Sequence, residues 1–159
     1  MNYDEITIFL FLLNRTQIVE LSDELKGLCY RIIGICMEVH RELGPGFPEE
    51  YYQKALEHEF AQADIGFEPQ KPIIVSYKDI QVGLNFLDFL IDEKLILEIK
   101  SVKEINDIHR FQVIKYFASS EYMVALLINF GGVKLEYEQM LPPMKIQQRK
   151  MKGDNYKSA

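Results

Sequence analysis

Asp88, Glu98 and Lys100 are the residues of this 159-residue chain whose types and spacing point most directly to chemistry. They stand within Leu84-Asn-Phe-Leu-Asp-Phe-Leu-Ile-Asp-Glu-Lys-Leu-Ile-Leu-Glu-Ile-Lys100, two apolar runs separated by the polar Asp92-Glu93-Lys94. Such runs read as buried or half-buried strands, and the charged triplet reads as their turn. A three-residue loop closed by Ile91 and Leu95 fixes the register by counting outward. Leu90 then faces Ile96, and Asp88 faces Glu98. Directly opposed residues share a sheet face with Cβ atoms roughly 4.5–5.5 Å apart, and like charges so placed repel. Lys100, two residues past Glu98, points the same way because the strand period is two. Two carboxylates and an ammonium therefore converge on one patch of an apolar sheet, and a divalent cation is the natural compensation. Mg²⁺ is typically held by one or two carboxylates, with waters and substrate phosphates completing its shell.

The elements that must position these groups can be read on either side. Ser22 or Asp23 N-caps a first helix, whose apolar face is Leu25, Leu28, Cys29, Ile32, Cys36, Val39 and Leu43 at helical spacing. Gly44-Pro45 stops it. A second helix starts near Pro48, a residue favoured at the first helical position, and runs toward Ala63. Lys71 to Tyr77 reads as a strand, and Lys78-Asp79 turns into the strand that carries Asp88. A helix from about Glu104 to Ser119 follows Lys100, with Ile108, Phe111 and Ile114 expected as its core contacts. Strands from Tyr122 to Phe130 and from Val133 to Glu138 come last, joined by Gly131-Gly132. The helix between strands 95–101 and 122–130 is long enough for a parallel crossover. The expected fold class is α/β, with helices packed on a mixed sheet.

Composition narrows the setting. Apolar residues make up 48% and charged residues 26% of the chain, which suits one ordinary globular domain. The Ile6–Leu13 run falls well short of the ~20 residues a membrane span needs. Asp4 and Glu5 before it and Asn14-Arg15 after it do not fit an export signal, so the expected compartment is the cytoplasm and no membrane partner is expected. Cys29 and Cys36, seven apart on one helix face, are separated by about 10 Å along the axis. That is too far for a disulfide, and two buried thiols are expected. A net charge of −6 opposes a broad phosphate-binding surface, although carboxylates that hold a cation count as negative in such a sum. Lys145, Arg149, Lys150, Lys152 and Lys157 make the C-terminus basic, as in many solvated ends.

Further motifs lie along the chain. Asp88, nine residues, then Glu98-x-Lys100 resembles the PD-(D/E)XK nuclease superfamily. Gly46-x-x-Glu49-x-x-Tyr52 resembles the signature of its GxxExxY family, as do Val39-His40, Ala55-Leu56, Gln112-x-x-x-Tyr116 and Leu127-Ile-Asn-Phe-Gly131. The resemblance runs from about Ile32 to Phe130, with the motifs in the family's order. One departure is Phe86, where many relatives carry an Arg two residues before the motif Asp. The domain is expected over residues 21–141, with an N-terminal extension over 1–20 and a basic tail over 142–159.

The resemblance implies a restriction-endonuclease-like core and a metal-dependent nuclease acting on DNA ahead of RNA. Asp88, Glu98 and the Ile99 carbonyl would ligate Mg²⁺, with Mn²⁺ as a substitute. Lys100 would position or help activate the attacking water. Glu49 would be a third carboxylate, direct or through water, with Glu50 its competitor if the helix is rotated. Gln112, Tyr116 and Tyr52 would contact substrate or organise the metal site. Against these stand ordinary readings: Glu49 as a surface charge that suits the helix dipole, Tyr52 as a packing aromatic, and His109, Gln112 and Tyr116 as the wet face of a helix. A nucleic-acid-binding or protein-interaction module on the same fold, without cleavage, in a repair or defence assembly, is the alternative function. A homo-oligomer or a protein partner is left open.

Overall fold

The side chain of Ser22 accepts a hydrogen bond from the Leu25 amide at 3.2 Å and starts helix α1, Asp23–Leu43. This is a computed structural model that describes residues 20–153. The extension through residue 19 and the tail from residue 154, including Lys157, lie outside the described residues. Gly44, at φ +80°, ends α1 by donating its N–H to the His40 carbonyl. Positive φ is a conformation that glycine adopts without steric cost. Helix α2, Glu49–Gln62, follows directly after Pro48.

The strands are β1 (Phe67–Tyr77), β2 (Ile80–Ile91), β3 (Leu95–Lys100), β4 (Val124–Asn129) and β5 (Glu136–Met140), with helix α3 (Asp107–Ala118) between β3 and β4. They form one sheet in chain order. The β3–β4 pair is parallel and the others are antiparallel, so α3 is the crossover that the sequence implied. Strand β1 begins four residues before the expected Lys71. Its Pro69 and Pro72 are tolerated because β1 is an edge strand, where an amide can be missing without breaking a ladder. Strand β5 begins later than expected, and Val133 is exposed.

Two apolar layers sandwich the sheet. Phe89, Ile91, Leu95, Leu97 and Ile99 pack against Ile32, Cys36, Tyr52, Leu56 and Phe60 of α1 and α2. Leu90 and Ile96, of opposite parity, pack against Val113, Tyr116 and Phe117 of α3. Burying one Leu or Ile side chain stabilises by about 1.5–3 kcal/mol, and Leu97→Ala would cost about 2–5 kcal/mol because of the cavity left. Ile108 was expected in this core but is exposed, and Val113 and Phe117 take its place. Cys29 and Cys36 are free and buried. The basic C-terminal segment carries helix α4, Met144–Met151. Ile146 is buried there, and Lys150 donates to the Tyr122 carbonyl, so this part of the tail is docked rather than solvated.

Candidate functional site

The β2–β3 ladder pairs Ile91 with Leu95, Leu90 with Ile96 and Phe89 with Leu97, in the register obtained by counting. One step further out, side chains replace the ladder. The Ile99 amide donates to Asp88 Oδ2 at 2.8 Å, and the Asp88 amide donates to Glu98 Oε2 at 3.4 Å. Each carboxylate thus reaches the backbone of the opposite strand, and the two lie together where the strands part. Glu98 is only 3% exposed. Lys100 Nζ lies 3.9 Å from Glu98 Oε1 and donates to Gln112 Oε1 at 2.8 Å. Gln112 Nε2 donates in turn to the Tyr116 hydroxyl at 2.8 Å. The structure therefore brings Asp88, Glu98, Lys100, Gln112 and Tyr116 into one connected cluster.

Its electrostatics follow from burial. An ion pair at 3.9 Å gains about 4 kcal/mol at an effective dielectric constant of 20. Removing a carboxylate from water costs several kcal/mol per ion, and one ammonium must serve two acids. Desolvation wins. It raises the Asp88 pKa despite the Ile99 amide and Lys100. Burial and then the Asp88 charge push Glu98 well above the usual glutamate range. Burial and the Glu98 charge also raise the Tyr116 phenol, so Tyr116 is a neutral hydroxyl at physiological pH. A buried and a half-buried acid short of positive charge fit a divalent cation in donor type and charge. Among the described residues, however, no set of three His, Cys, Asp or Glu side chains is close enough to hold a metal. Glu49 is exposed in the first turn of α2 and is not gathered with the pair.

The motif around Glu49 has a structural reason nonetheless. Tyr52 is fully buried and stacks on Phe130 with ring centroids 4.4 Å apart. Its hydroxyl donates to the Gly44 carbonyl at 2.6 Å and accepts from the Phe47 amide at 3.1 Å. Tyr52 shapes the loop before α2 from within, and no part of it reaches a surface ligand. The Ser101 hydroxyl donates to the Phe47 carbonyl, which ties the same loop to the residue after Lys100. The start of α2, with Glu49, is thereby anchored beside the end of β3. Glu50 is also exposed.

Other residues resolve into scaffold. His109 Nδ1 accepts from the Asn106 amide at 3.1 Å and closes a capping box at the start of α3. His40 Nε2 donates to the Gly132 carbonyl at 2.9 Å. Phe86 is 48% exposed, two residues before Asp88. Asn129, within the Leu127-Ile-Asn-Phe-Gly131 motif, staples the loop after Lys100. Its side chain accepts from the Val102 and Gly131 amides and donates to the Val102 carbonyl and Glu136. A Cβ on Gly131 would fall 2.1 Å from the Val102 carbonyl oxygen, so only glycine fits. A polar residue at the end of a buried strand, with glycine two residues on, was the available signal. Surface hollows of about 660 and 540 Å³ are lined in part by Asp92 and Lys94, at the turn end of the hairpin, and the paired carboxylates line neither.

No curated protein and no solved structure matches the chain. The family model of the PD-(D/E)XK nuclease superfamily matches residues 26–140, which include every residue of the cluster, and the chain belongs to that superfamily.

Proposed function

We propose that this superfamily member is a metal-dependent nuclease of the GxxExxY type that hydrolyses phosphodiester bonds, in DNA ahead of RNA. One observation carries the reading: the carboxylates of half-buried Asp88 and buried Glu98 each accept from the opposite strand's backbone where the β-hairpin parts, beside a lysine held by glutamine. Asp88, Glu98 and the Ile99 carbonyl would hold Mg²⁺, or Mn²⁺ in its place. Bound there, the cation would polarise the scissile phosphate and acidify the attacking water. Both Asp88 and Glu98 would have to be ionised to ligate the cation. The bond to Gln112 aims the Lys100 ammonium, which orients the water and offsets charge developing on phosphate oxygens. The neutral Tyr116 hydroxyl keeps Gln112 in place. Glu49, at the start of α2 beside the end of β3, would complete the metal site as a third carboxylate, directly or through water. The signature Gly46-x-x-Glu49-x-x-Tyr52 supports the family subtype through the loop that Tyr52 pins.

The partner is nucleic acid. Among the described residues no helix is long and apolar enough to cross a membrane, and a cytoplasmic location is part of the proposal. The exposed position of Glu49 favours the competing reading, a nucleic-acid-binding or protein-interaction module without cleavage. Labelled single-stranded, duplex and flapped DNA and RNA, incubated with Mg²⁺ or Mn²⁺, separate the two. Cleavage that requires the cation and is lost in Asp88→Asn supports the nuclease. Binding without cleavage of any form supports the module.

A further inference from the structure

Among the described residues five non-glycine positions have positive φ, and four of them, Asp64, Lys78, Asp92 and Glu93, are turn residues. The fifth is Gln70, at φ +49° inside strand β1. L-residues rarely adopt this conformation inside a strand, and it persists only where the surroundings over-determine it. The β1–β2 ladder pairs Pro69 with Phe89 and Lys71 with Leu87 and omits the step between. That step sets Gln70 opposite Asp88. The Gln70 amide Nε2 donates at 2.9 Å to Oε1 of Gln53 in α2, and Gln53 Nε2 donates to Glu57 at 3.3 Å. Gln53 lies four residues after Glu49, on the same helix face. The strained residue therefore joins the helix that carries Glu49 to the strand position facing the motif Asp.

We propose that Gln70 is a positioning residue of the metal site: its left-handed backbone turns the amide between Asp88 and Gln53, setting the Asp88 carboxylate and the distance of α2 from it. This rests on the reading of Asp88 as a cation ligand. It accounts for the backbone strain and the missing ladder step, neither of which the five-residue cluster explains. The Gln70 amide also opposes the rise in the Asp88 pKa, as a donor to the ionised form does. Residues that orient ligating groups typically contribute a factor of 10–100 to metal affinity.

Glycine separates strain from amide, since Gln70→Gly keeps the positive φ freely and deletes the side chain. Mn²⁺ titration calorimetry on the full chain, with a thermal melt of each metal-free variant, reads both. The expected result is a melt at or near wild type and Mn²⁺ affinity weakened roughly tenfold or more. Wild-type affinity in Gln70→Gly would overturn the proposal. If that variant is too unstable to titrate, Gln70→Asn tolerates the left-handed backbone but draws its amide back by one methylene, and the same loss is expected. Gln53→Ala should weaken binding by less, and Gln53→Ala combined with Gln70→Gly should be no worse than Gln70→Gly alone; additive losses would overturn the link through Gln53. Asp88→Asn is the control. Loss of Mn²⁺ binding there with wild-type affinity in Gln70→Gly overturns only the role of Gln70, whereas unchanged Mn²⁺ binding in Asp88→Asn takes down the site reading beneath it.

Discussion

Replacing Glu98 with Gln keeps the shape and the oxygen that accepts from the Asp88 amide, and removes the buried charge of the Asp88–Glu98 pair. Burial and the Asp88 charge hold the Glu98 pKa well above that of a free glutamate. The native chain therefore retains a proton that the unfolded chain releases near pH ~4.3. Between the unfolded and native pKa values the native state binds more protons, so metal-free stability falls as pH rises. The decline starts near the ordinary glutamate pKa and ends once pH has passed the raised native one. One retained proton corresponds to about 1.4 kcal/mol per pH unit. For a domain of this size that is a Tm change of about 3–6 °C per pH unit. Thermal melts in EDTA at steps from pH 4 to 8 should show wild type losing ground to Glu98→Gln, with the variant the more stable at pH 8. A Tm difference that stays flat across this range would refute the coupled-carboxylate argument. A variant less stable at every pH would do the same.

Lys100→Ala should lower turnover by roughly 10²–10³-fold, as loss of one preorganised donor to developing charge does, while Mn²⁺ calorimetry finds most of the affinity retained; parallel loss of both would make the lysine a support of the metal site. Tyr52→Phe deletes two buried hydrogen bonds and should cost about 1–2 kcal/mol, read as a fall in Tm. A changed KM at unchanged Tm would instead return Tyr52 to the substrate. Glu49→Gln should leave the metal-free melt within about 0.5 kcal/mol of wild type, as exposed substitutions do, and lower metal-dependent cleavage at least tenfold. Full activity would remove Glu49 from the site.

The hairpin was legible in the sequence because a charged triplet between two apolar runs leaves one register that keeps both runs buried. The crossover was legible because parallel strands need a long connection. Other features depend on context that residue types do not encode. Strand β1 starts before the expected Lys71, and only its edge position admits Pro69 and Pro72 within it. Asn106 caps α3 by pairing with His109, which moved the start of the helix past the expected Glu104. Ile108 has core chemistry but falls on the exposed side of the first turn of α3. In the site, Asp88, Glu98 and Lys100 could be placed from the strand period, and Gln112 and Tyr116 from the resemblance. Tyr52 could not be, because a tyrosine three residues after Glu49 serves a loop as readily as a ligand. Gln70 was silent, since a positive φ at a glutamine leaves no mark in the sequence.

Crystals of the full chain soaked in Mn²⁺ test the central claim most directly, through anomalous difference density. A peak is expected between the carboxylates of Asp88 and Glu98, with Lys100 still bonded to Gln112, and no peak there in Asp88→Asn crystals. Density confined to other acidic groups, with the Asp88–Glu98 pair left bare at saturating Mn²⁺, would contradict it.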